Sequence, residues 1–121
     1  MPKKTLETLE LELRDFAMEF PESTEDHLWG HRAIKVKGKS FLFLGGEKDK
    51  KELSLSVKLP QSRDMAVDLP FAEPTGYGLG KSGWVTARFD KVGEVPVELL
   101  KKWIDESYRA IAPKTLVKAL G

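Results

Sequence analysis

Apolar and polar positions change period several times along this chain, and each change marks an expected element. Leu6, Leu9, Leu13, Phe16, Ala17 and Phe20 recur at three- and four-residue intervals, the spacing of one buried stripe on an α-helix. Thr5 stands where an N-cap belongs, Glu7 and Glu10 lie near the positive end of that helix, and Pro21 stops it. Glu22 to His31 carries no apolar period and reads as a polar connector. The period then falls to two. Ala33 to Val36 and Phe41 to Leu44 predict two strands joined by the tight turn Lys37-Gly38-Lys39. Gly45 to Lys51 reads as a mobile, charged loop. In the next strand Leu53, Leu55 and Val57 are expected inward, with Ser54, Ser56 and Lys58 outward, until Leu59-Pro60 ends it.

Ser62 to Leu69 predicts a short helix led by Ser62 and ended by Pro70, and Phe71 to Thr75 a turn-rich link back to the sheet. Tyr77 to Gly83 is a glycine-punctuated turn whose backbone is freest around Lys81-Ser82. Trp84 to Phe89 then alternates as a half-buried strand, with Val85, Ala87 and Phe89 inward. Lys91 to Val95 is a turn, and Pro96 occupies the first position of a long helix lined by Leu99, Leu100, Trp103, Ile104, Ser107 and Ile111. Pro113 breaks it, leaving Lys114 to Leu120 as a short terminal helix. The expected order is α-β-β-β-α-β-β-α. Short links favour antiparallel pairing, hence an α+β two-layer sandwich in which helices pack an antiparallel sheet of about five strands. The 121 residues are read as one domain, 1–121.

Composition narrows the chemistry. With no cysteine, disulfides and thiolate metal sites are excluded. Met1 to Glu19 carries eight charged residues and no apolar run, so neither a signal peptide nor a membrane span is expected and the default location is cytoplasmic. Net charge is +1 but unevenly spread: residues 1–30 sum to −5 and residues 31–64 to +5. An acidic helical edge beside a basic sheet region follows.

The candidate catalytic motifs fail on their own terms. Gly80-Lys81-Ser82 matches the end of a phosphate-binding loop, but the first glycine of that motif would fall at Thr75, and strand rather than helix follows. Gly78, Gly80, Gly83 and Val85 match a kinase-type glycine loop, yet no catalytic loop follows in so short a chain. His27 and His31 have the four-residue spacing of helical metal ligands, but Gly30 lies between them and no further histidine or any cysteine completes the set. No cofactor and no metal are expected, and enzymatic activity has no support in the sequence. What remains is the outward sheet face, where Lys35, Lys37, Lys58 and Arg88 would surround Trp84, with Lys81 in the turn before it. Cations beside an aromatic plane suit phosphates and stacked bases.

Trp29-Gly30-His31, Gly38-Lys39 before Phe41, Val57-Lys58-Leu59-Pro60, Gly80-Lys81-Ser82-Gly83-Trp84-Val85, and the ending from Val95-Pro96 through Leu99-Leu100 to Ser107-Tyr108 resemble, in this order, the MmcQ/YjbR family. The resemblance runs from about Leu9 to Pro113. It implies a two-layer domain with an antiparallel sheet, similar to secretion-chaperone folds, and it carries a DNA-binding label that rests on fold analogy with winged modules. No catalytic residue comes with it; Lys58, Lys81 and Trp84 are the motif positions that match a binding surface. The expected partner is nucleic acid. The alternative is a protein or peptide held at a sheet edge or on the open face, and a third reading is a small-ligand pocket around His31 and Lys81.

Overall fold

The computed structural model describes residues 5–28, 31–45, 52–76 and 82–120. Thr5 opens helix α1 (Leu6–Met18) as expected. Its hydroxyl accepts from the Thr8 amide at 3.1 Å, and the Thr8 hydroxyl accepts from the Thr5 amide at 2.8 Å, so two otherwise orphan donors are satisfied reciprocally. Leu9, Leu13 and Ala17 form the buried stripe.

The chain then builds a six-stranded antiparallel sheet in the order β1-β2-β3-β4-β6-β5. The strands are β1 (Ser23–Leu28), β2 (His31–Val36), β3 (Lys39–Gly45), β4 (Leu53–Lys58), β5 (Ala72–Pro74) and β6 (Trp84–Phe89). Helix α2 (Arg63–Val67) separates β4 from β5, and a 3₁₀ turn (Val92–Glu94) leads from β6 to α3 (Val97–Ile111) and α4 (Lys114–Ala119). The fold is α+β, with the sheet packed against α1 and α3.

The sheet has six strands where about five were expected, four of them before α2 rather than three, and two segments read as connectors are strands. Ser23–Leu28, expected as connector, pairs along its whole length with β2. Its inward residues Ser23, Glu25 and His27 are polar, so the apolar alternation that identifies a strand is missing. Ala72–Pro74, expected as a link, pairs with β6, and Pro74 is tolerated because β5 is an edge. Gly45 belongs to β3; residues 46–51 of the expected loop lie outside the described residues, as do Tyr77 to Lys81.

The β2–β3 turn forms as anticipated, with positive φ at Lys37 (52°) and Gly38 (80°), the twist that a two-residue hairpin loop requires. Between Ile34 and Lys35 the β2–β3 register slips by one, leaving Phe41 as the extra residue. Phe41 and Leu42 are consequently both fully buried. Helix α3 reads this irregularity. The buried Ser107 hydroxyl donates to the Phe41 carbonyl at 2.5 Å and accepts from the Lys58 amide at 2.8 Å, at the point where β3 and β4 cease to bond each other directly. Tyr108 beside it stacks on Phe20 (4.7 Å between centroids), meets Phe41 edge-on, and donates to the Pro21 carbonyl at 2.8 Å. Burial, then the Glu22 carboxylate, raise the Tyr108 pKa, so the phenol stays a donor.

Ser62 precedes α2 but does not cap it with its side chain. Instead Glu106 of α3 accepts from the Gln61 and Ser62 amides, both at 3.0 Å, and from the Ser62 hydroxyl at 2.6 Å. Helix α3 thus holds both the sheet and the segment leaving it.

Replacing Ser107 by alanine leaves a buried carbonyl and a buried amide without their shared partner. The expected cost is about 1–3 kcal/mol, read as a lower urea midpoint at unchanged slope. An unchanged midpoint contradicts the bridging role.

Candidate binding face of the sheet

Register divides the sheet into two faces. Leu53, Leu55 and Val57 pair with Phe89, Ala87 and Val85, and all six are buried toward the helices, as the alternation predicts. The opposite face is built in rows across the strands. One row contains Ala33, Phe43, Ser56 and Thr86; the next contains Lys58 and Trp84. At its centre the Thr86 hydroxyl meets Ser56 at 2.8 Å and Thr75 at 2.9 Å, while Phe43 and Trp84 lie 5.6 Å apart, tilted by 48°.

The sequence-derived site residues meet different fates. Lys35 lies on this face, but its ammonium is 2.8 Å from Asp26 of β1. Lys37 leaves the strand for the turn, where it pairs with Glu22 at 2.7 Å. Arg88 lies on the face between Glu73, in close contact, and Glu52, at 3.4 Å. Lys58 is half-buried beside Trp84, and no carboxylate meets its ammonium among the described residues. Trp84 itself is only 8% exposed, so its ring serves the packing with Phe43 rather than standing as an open platform. Lys81 lies outside the described residues.

His27 and His31 come from neighbouring strands and, by register, point to opposite faces, so their spacing brings no pair of ring nitrogens together. The His31 ring occupies the space that a side chain on Gly45 would fill. Among the described residues no three of His, Asp and Glu cluster as a metal site requires, and no helix is long and apolar enough to cross a membrane.

Sequence reasoning missed the charge network at the β1 edge. Arg32, inward on β2, donates from Nε to Glu10 of α1 and from Nη1 to Glu25 of β1, each at 2.9 Å. Its Nη1 also lies 3.2 Å from His27 Nε2, and Arg14 approaches Glu25 at 3.6 Å. Burial alone would raise the Glu25 pKa, but the hydrogen bond and charge of Arg32, followed by Arg14 and His27, hold it below its ordinary 4.5. The hydrogen bonds to Glu10 and Glu25 keep Arg32 firmly protonated. No apolar period announces this network, because its members are partners only once β1 lies beside β2 under α1.

Two outcomes follow. Glu25 is more acidic folded than unfolded, so its contribution is present above pH 4.5 and lost as pH falls through its lower folded value. Glu25→Gln is therefore expected to lose less stability than wild type between neutral pH and about pH 3, measured by urea melts across that range. Trp84→Ala is expected to cost about 3 kcal/mol of folding stability, with Trp84→Phe recovering most of it. A fully stable Trp84→Ala variant contradicts the packing role.

A search of curated proteins finds no match to the chain. A family model described as YjbR matches residues 18–110. That span takes in all six strands, together with α2 and nearly all of α3. With most of its length matched, the chain belongs to the YjbR (MmcQ/YjbR) family.

Proposed function

We propose that this domain is a binding module that meets a single-stranded nucleic acid through the sheet face turned away from α1 and α3, using few phosphate contacts. The observation that carries this reading is Lys58. It sits at the end of β4 beside the Phe43–Trp84 pair, and among the described residues no carboxylate neutralises it. Arg88 on the same face is 54% exposed and adds a second cation once it is drawn from its carboxylates. Hydroxyls of Ser56, Thr75 and Thr86 line the ground between them. Such a face offers hydrogen bonds and a little charge, which suits weak, sequence-tolerant contact with a backbone.

A protein partner is the second reading, favoured by the carboxylates Asp26, Glu52 and Glu73 interleaved with the cations. A face of mixed sign matches another protein better than it matches a polyanion. The similarity to secretion chaperones that the family resemblance implies sits with this reading, although fold does not assign function.

Titration of labelled single-stranded DNA at two salt concentrations separates the two. One or two phosphate contacts give a log–log salt slope of about −0.7 to −1.4. Lys58→Ala is expected to remove about 0.7 from that slope while leaving the melt unchanged. Absence of salt-sensitive binding at low salt rejects the nucleic-acid reading and leaves the protein partner.

A further inference from the structure

The outer side of α1 carries a second stripe, which shares Phe16 with its core stripe. Thr8, Leu11, Glu12, Asp15, Phe16 and Glu19 follow one another at three- and four-residue spacing and line a shallow groove of about 440 Å³ closed on its far side by Lys101 of α3. From Thr8 to Glu19 the stripe runs about 16 Å, three turns of helix. Leu11 is half-buried, yet it stands apart from the aliphatic and aromatic side chains that pack on the core. Phe16 forms an aromatic floor next to it.

The groove already shows what it holds. The Lys101 ammonium lies 5.6 Å from the centre of the Phe16 ring and 3.3 Å from a Glu12 carboxylate oxygen. An aromatic face with a carboxylate beside it is a good seat for a primary ammonium. Two further carboxylates continue the row. Asp15 is 68% exposed although it also touches Arg14, and Glu19 is exposed. Among the described residues lining the groove, Lys101 is the cation beside these three acids, and Arg14 outside it meets Asp15.

We propose that this stripe is a docking site for a lysine- or arginine-rich helical segment of a partner protein, with an apolar side chain seated between Leu11 and Phe16. Charge complementarity selects the occupant: a basic segment gains an acidic partner in each turn, whereas an acidic or nucleic-acid ligand meets like charge along the whole row. The groove lies on the helix layer, across the sheet from Lys58 and Arg88, so it stands or falls independently of the reading given above.

The test uses the full chain and a fluorescein-labelled helical peptide of about three turns, with one lysine per turn and leucines on the same face. Anisotropy is compared with a glutamate counterpart and with a peptide whose leucines are glutamines. The lysine–leucine peptide is expected to bind in low salt, both controls more weakly, and Glu12→Gln/Asp15→Asn/Glu19→Gln at least about tenfold more weakly than wild type. Leu11→Gln is expected to weaken binding with little effect on the melt, since Leu11 is no part of the core. Circular dichroism confirms that each variant is folded. Equal binding of the lysine and glutamate peptides, or undiminished binding by the triple and Leu11 variants, overturns the proposal. So does sedimentation showing that wild type self-associates through this stripe and that the triple variant does not, because the occupant is then a second copy.

Discussion

The Ser107 hydroxyl sits where β3 and β4 stop bonding each other, and much of the architecture follows from that insertion. A bulge at Phe41 turns two successive side chains into the core, which fills the space under α3 but leaves a carbonyl without its ladder partner. In a buried setting that carbonyl, and the Lys58 amide opposite, must find another partner. One serine on the facing helix serves both. Because the donor comes from α3, the helix is set against the sheet in position and in rotation. Tyr108, one residue on, then reaches Phe20 and Pro21 at the end of α1, and Glu106, one residue before, gathers the amides that follow β4. Three successive residues of one helix thereby join the first helix, the central strands and the segment leading into α2.

The ends of the sheet obey a different constraint. An edge strand offers unpaired backbone to any neighbour, and charge pointing inward at an edge is one way of discouraging that. Glu25 on β1 and Arg32 beside it do this, with Glu10 of α1 completing the pairing. Taking Arg32 and Glu25 partly out of water is offset only because each carboxylate faces a guanidinium. At the other end β5 is three residues long and includes Pro74, so little of it can pair further. Blunted edges shift attention from strand addition to the two faces of the molecule. The outer sheet face carries cations mostly held by carboxylates; on the groove of α1, Glu12 meets Lys101 and Asp15 meets Arg14.

How far the sequence reveals this depends on whether a residue's role is local. The capped first helix, the Lys37-Gly38 turn, the β4–β6 alternation and the Pro96 and Pro113 boundaries of α3 were all legible, since each rests on neighbours within a turn or a strand. The binding face was legible only in outline. Alternation placed Lys35, Lys58, Trp84 and Arg88 on one side, but it said nothing of Asp26, Glu52 and Glu73 beside the cations. Nor did it say that Trp84 is buried against Phe43.

By itself the sequence determined the periodic elements, the inward and outward sets of the central strands and, through motif order, the family. Those features follow from backbone sterics and from apolar spacing, which act over a few residues. Tertiary structure alone decided that Ser23–Leu28 is a strand, because its inward Glu25 and His27 meet arginines from α1 and β2 rather than an apolar core. It alone decided that Phe41 bulges and that Ser107 answers it, a bond spanning 66 residues of chain. Polar partners so far apart in sequence leave no period to read, since their match is made in space.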